Sequence, residues 1–141
     1  MRIEEVQPVK ATQQQVYDAW TDYPAWPKFS TLFTRVDVLE RRGNAVLLDI
    51  DMNVMGRTTR RTERHVVTPP KEVRVEGEME TATNTSLWSF EPTPEGTLLR
   101  AVVEGEPTGL RRLLGPLAKR VLTKMLRDEM RAFATYVEAK K

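Results

Sequence analysis

The groups able to do chemistry are few in this sequence, and their densest run is RTTRRTERHVV at positions 57–67. Extended, it puts Arg57, Thr59, Arg61, Glu63, His65 and Val67 on one face and Thr58, Arg60, Thr62, Arg64 and Val66 on the other, so neither face is apolar. Burying an unpaired charge costs several kcal/mol. Either the inner face of this strand is wet, with surface pairs to glutamates such as Glu76 and Glu78, or inward arginines meet carboxylates or the anionic or carbonyl head of a ligand. His65 is the single histidine. Alone on a charged strand, with no serine and aspartate at nucleophile spacing, it reads as a surface residue rather than a catalyst. A second set, Asn84, Ser86, Trp88 and Phe90, shares one strand face and combines two rings with two polar groups, as a site that orients a ligand would. A third set, Trp20, Tyr23, Trp26 and Phe29, either walls a pocket or closes one end of the core, the commoner fate of large aromatics. There is no cysteine, hence no thiol nucleophile, disulfide or thiolate zinc site, and phosphate-cradling glycine loops and paired catalytic carboxylates are also missing. These patterns lead us to expect no catalytic residue, no metal and no cofactor.

The elements that position these groups follow from periodicity. Arg2 to Lys10 reads as a strand. Thr12 and Gln15 make a capping box at the start of a helix over about Gln13 to Thr21, and two prolines in DYPAWPKFS limit the next stretch to a short second helix or turn. From Thr34 to Glu106 the period is two, with regular turn signals, which marks an antiparallel meander. Val46, Leu48, Ile50, Met52 and Val54 line one face of its clearest strand. Val73, Val75, Gly77 and Met79 line another, and Leu99, Ala101 and Val103 the last. A turn is expected near Thr81. A C-terminal helix of about 30 residues is expected to begin near Thr108 or Leu110, with a stripe of Leu110, Leu114, Leu117, Val121, Met125, Phe133 and Val137, and with a kink or restart at Pro116.

With 141 residues the chain is sized for one domain, expected to span 1–141. The net charge is +2, yet residues 108–141 hold nine Lys/Arg against three Asp/Glu. That basic segment is either a solvated face or an address for anionic partners. MRIEEVQPVK has no apolar leader core, and no run approaches the roughly 18 apolar residues of a membrane span, so a cytoplasmic location is expected.

A broad antiparallel sheet has one long apolar face that a single helix about 10 Å wide cannot cover, which leaves room for an apolar ligand between them. The expected wall comprises Met52, Val54, Val75, Met79, Ser86, Trp88, Phe90, Ala101, Val103, Val121 and Met125. Three stretches, VKATQQQVYDAWTDYPAWPKF, MGRTTRRTERHVVTPP and TGLRRLLGPLAKRVLTKMLRDEMRAFATYVEA, together resemble the START-like (SRPBCC) superfamily in its polyketide cyclase/dehydrase-like and coenzyme Q-binding-like branches. Asp22, Tyr23, Trp26 and Pro27 match the family's helix-to-sheet junction, and Gly115-Pro116-Leu117 the start of its closing helix. The resemblance implies an α+β helix-grip fold: a six- to seven-stranded curved antiparallel sheet around a long C-terminal helix, with two short helices after the first strand. It implies binding or transport of a hydrophobic small molecule, a lipid, quinone or polyketide. Two rival readings are an aromatase/cyclase-type enzyme and an interaction module that uses the basic helix on RNA or membrane. Of these partners, peripheral contact with an anionic membrane is expected and nucleic acid is not.

Overall fold

A computed structural model of the chain describes residues 1–79, 82–105 and 114–140, the side chains of residues 78, 79, 82 and 83 excepted. Seven strands follow one another: β1 (Arg2–Val9), β2 (Phe33–Arg42), β3 (Ala45–Val54), β4 (Arg57–Thr68), β5 (Glu72–Met79), β6 (Ala82–Thr93) and β7 (Gly96–Gly105). They form one antiparallel sheet in the order β1-β7-β6-β5-β4-β3-β2, so the meander is continuous and β1 closes onto its last strand. Helix α1 (Gln13–Trp20) and a 3-10 turn (Tyr23–Lys28) separate β1 from β2, and helix α2 (Ala118–Lys140) ends the chain. This is the α+β helix-grip architecture that the sequence led us to expect.

Local chemistry sets the two short elements. Gln15 N donates to Thr12 Oγ1 at 3.2 Å, and Thr12 N donates to Gln15 Oε1 at 2.9 Å, completing the capping box. Thr12→Ala is expected to lower stability by about 1 kcal/mol with ligand affinity unchanged, and a thermal melt superimposable on the parent would contradict that. Beyond α1, Pro24 and Pro27 stop α-helical propagation, and the six residues YPAWPK tighten into the 3-10 turn that buries Tyr23, Ala25 and Trp26.

The closing helix departs from expectation. Its regular part begins at Ala118, just after a 3-10 turn at Gly115–Leu117 in which Gly115 takes φ +56° and Pro116 restarts the backbone. Thr108 and Leu110 lie outside the described residues, as does the turn near Thr81. Leu117 is 55% exposed, and the buried positions of the helix are Ala118, Met130, Phe133, Ala134 and Val137. The covering of the sheet thus falls mainly to the second half of α2. Glu138 Oε2 accepts from Lys10 N at 2.9 Å, and Arg127 donates to Glu5 at 2.9 Å, fixing the helix against β1 and the turn after it.

On the convex face of the sheet, Asp49 receives two hydrogen bonds from Arg60, at 3.0 and 2.6 Å, and one from Arg35 at 3.1 Å. The Arg60 bonds chiefly, with help from Arg35 and against an opposing push from desolvation, lower its carboxyl from the ordinary 3.8 to about 2. A folded-state value below the unfolded one means that the stabilisation is fully present above the unfolded value and is lost as pH falls through the folded one. Asp49→Asn is therefore expected to flatten the decline in urea midpoint between about pH 4 and pH 2. Parallel pH profiles for parent and variant would contradict this.

Candidate functional site

The register of β4 decides how the ambiguous strand is used. Glu63 pairs across to Leu48 and Gly77, and His65 to Val46 and Val75. Leu48, Val46 and Val75 are buried, so Glu63 and His65 share their inward face, and so does Arg61 opposite buried Ile50. Arg60 and Arg64 point outward to Asp49 and Glu76. Surface pairing thus accounts for one face of the strand only. His65, read from the sequence as a surface residue, is wholly buried, because neighbouring strands surround it with the apolar side chains that its own strand lacks.

Inside, three ionisable side chains form a row. Glu63 accepts from Arg61 through Oε2 and meets His65 Nε2 at 2.9 Å through Oε1. Burial pushes against the charge of this carboxylate, but the His65 hydrogen bond and the charge of Arg61 outweigh it and hold Glu63 below the ordinary carboxyl value. Trp20, Tyr23 and Trp26 cap the far end of the row, their ring centroids 5.5, 5.1 and 5.9 Å from the imidazole. Among the described residues, four buried polar atoms have no partner: Tyr23 OH, Thr59 Oγ1, Arg61 Nε and His65 Nδ1. Buried polar groups are nearly always satisfied, and these exceptions gather on one strand and the turn above it. Desolvation raises the Tyr23 phenol, which stays a neutral donor.

Arg61 and Glu63 form part of the wall of a cavity of about 140 Å³ between the sheet and α2. Trp20, Trp26, Phe29, Phe33 and Trp88 supply its aromatic sides, Val75, Leu99 and Val103 its sheet floor, and Met130 and Phe133 its helix side. Asn84, Ser86 and Glu129 add polar groups. Glu129 is anchored by Ser30 and by Thr31 N at 3.1 Å, which holds the helix over the segment that follows the 3-10 turn. Trp88 Nε1 donates to Ser86 Oγ at 3.1 Å, leaving the hydroxyl proton of Ser86 for another acceptor. Gly77 makes room for the polar end: a Cβ there would sit 2.6 Å from Asn84 Oδ1 and 3.5 Å from Arg61 Cζ. An isolated glycine in an alternating strand is the sequence signal for such a close approach.

Of the residues proposed for the wall, Val75, Ser86, Trp88 and Val103 line the cavity. Phe90 and Ala101 are fully buried instead, Phe90 packing under α1 against Tyr17 at 5.7 Å and Trp20 at 6.1 Å. Met52 packs at the margin of the core, while Val54, Val121 and Met125 are half-buried away from the cavity, since only the second half of α2 covers the sheet. The side chain of Met79 lies outside the described residues. Phe33, Thr85, Leu99, Glu129, Met130 and Phe133 line the cavity without having been expected in its wall, whereas Arg61 and Glu63 belong to one of the two faces that the sequence left open for β4.

A family model described as polyketide cyclase/dehydrase and lipid transport matches residues 9–134. A search of curated proteins finds nothing that matches the chain. Among solved structures, a protein from Thermus thermophilus superposes with a TM-score of 0.87 at 17% identity, covering 100% of this chain and 99% of that one. A START superfamily protein from Mycobacterium smegmatis gives 0.80 at 18% identity, over 99% of each chain. The di-domain aromatase/cyclase StfQ of the steffimycin biosynthetic pathway gives 0.83 at 20% identity; 99% of this chain is matched, but it spans only 51% of the length of that protein. At such identities the likeness is one of fold.

Proposed function

The chain belongs to the polyketide cyclase/dehydrase and lipid transport family, and on that premise we propose that it is a single ligand-binding domain, acting in the cytoplasm, whose cavity takes an uncharged, ring-bearing molecule with its carbonyl oxygen toward Arg61. One observation carries this reading: Arg61 lines a largely apolar cavity and has a buried Nε–H with no acceptor among the described residues. The charge balance narrows the ligand class. The guanidinium of Arg61 already has the Glu63 carboxylate, and Glu129 adds a further acidic side chain to the wall. A fatty-acid or other carboxylate head would enter a place whose positive charge is spent, at a cost of several kcal/mol. A ketone or quinone oxygen needs only the free donor. Size narrows it further, because about 140 Å³ compares with the roughly 150 Å³ of a cavity that admits benzene and falls short of the roughly 300–1,000 Å³ of common ligand sites. One ring fits as the cavity stands, and a longer ligand extends through its opening.

The inward row of Arg61, Glu63 and His65 favours a second reading, an aromatase/cyclase-type enzyme. Against proton-transfer chemistry, Glu63 is held ionised by both neighbours, so it is a weak base and has no proton to donate to a bound substrate. Acetophenone and benzoate, matched in ring and size, separate the ligand classes by titration calorimetry. Acetophenone is expected to bind saturably and at least about tenfold more tightly than benzoate, and Arg61→Met to weaken acetophenone specifically. Benzoate binding as tightly as acetophenone would overturn the charge-balance argument.

A further inference from the structure

We infer that the first half of α2 is a docking surface for an anionic lipid membrane, made by Lys119, Arg120, Lys124 and Arg127 around the exposed Leu117. Pro116, Leu117, Lys119, Arg120, Thr123, Lys124 and Arg127 line one open groove. Spacings of three and four residues place Arg120, Thr123, Lys124 and Arg127 on a single helix face. Thr123 and Arg127, seven and three residues before Met130, border the stripe that buries Met130, Ala134 and Val137, while Lys119, Arg120 and Lys124 are exposed. Among the described residues, no acidic side chain lines the groove.

Two of its cations have partners: Arg127 pairs with Glu5 at 2.9 Å and Lys124 with Asp128 at 2.7 Å. Lys119 and Arg120 form no ion pair among the described residues and carry the open positive charge. Leu117, 55% exposed beside them, offers an apolar side chain to the acyl boundary beneath the headgroups. Cations interleaved with aliphatic residues suit a lipid surface. A groove for single-stranded nucleic acid would instead interleave aromatic platforms on which bases stack, and this face has none. The inference is independent of the cavity reading, although α2 carries both, the groove ending at Arg127 less than one turn before Glu129 and Met130.

Cosedimentation with phosphatidylcholine vesicles, with and without about 30% phosphatidylglycerol, tests it. The protein is expected to sediment with the anionic vesicles only, and to be released between about 50 and 500 mM salt as screening shortens the reach of its charges. Each cation contributes about fivefold near such a surface, so Lys119→Gln/Arg120→Gln is expected to weaken binding about 25-fold. Leu117→Ser should weaken it with the salt dependence retained. The substituted side chains are exposed, and Lys119→Met/Arg120→Met keeps their aliphatic stems while reproducing the loss, which separates charge from packing. Equal recovery on neutral and anionic vesicles, an unchanged affinity in both double variants, or tighter retention of single-stranded RNA than of vesicles at the same salt would each overturn the proposal.

Discussion

Replacing Glu63 with glutamine is expected to destabilise the protein by about 3–5 kcal/mol, a large part of the roughly 5–15 kcal/mol that holds a domain of this size together. Glu63 is 3% exposed and joins Arg61, itself nearly covered, to the wholly buried His65. An amide in its place leaves the guanidinium charge uncompensated in a setting where water cannot replace the lost partner. The double replacement Arg61→Met/Glu63→Leu removes both charges and is expected to recover most of that loss while abolishing recognition of a carbonyl ligand. Urea unfolding of the two variants beside the parent measures this. A Glu63→Gln midpoint indistinguishable from the parent would show that the row is solvated.

Trp20→Ala is expected to cost about 3–5 kcal/mol, and Trp88→Ala roughly half as much, although both rings line the same cavity. Trp20 is 5% exposed and packs against Tyr23, Trp26, His65, Trp88 and Phe90 at once. Trp88 is only half-buried, its ring already bordering empty space. Its truncation enlarges that space without removing the keystone of the aromatic cluster. The Trp88→Ala protein should therefore remain folded and gain affinity for 2-acetylnaphthalene relative to acetophenone. Equal destabilisation by the two substitutions, in thermal melts, would mark Trp88 as plain core.

Local signals survived folding where their cause is local. The Thr12–Gln15 box and the alternation of Val46, Leu48 and Ile50 depend on adjacent residues and stand as read from the sequence. Strand faces were legible for the same reason, since Val75, Ser86, Trp88 and Val103 all point inward. Which inward residues meet empty space was not legible, because that depends on where α2 crosses the sheet. The helix meets the cavity at Met130 and Phe133, leaving Val121 and Met125 at the margin and Phe90 and Ala101 under other cover. For β4, periodicity offered two polar faces of equal merit. The choice rests on partners distant in sequence, with Asp49 and Glu76 drawing Arg60 and Arg64 outward while Leu48, Ile50 and Val75 enclose Arg61, Glu63 and His65.

The central claim, that this cavity receives a ring-bearing carbonyl compound, is tested most directly by the three tryptophan indole N–H signals of 15N-labelled protein titrated with acetophenone. Trp88 donates to Ser86 at the polar end, and Trp20 and Trp26 form the adjoining wall. Binding in the cavity predicts saturable shifts at all three signals, with the largest at Trp88, and a diminished response in Arg61→Met. Three indole signals that stay fixed up to the solubility limit of the ligand, in protein that remains folded, would contradict it.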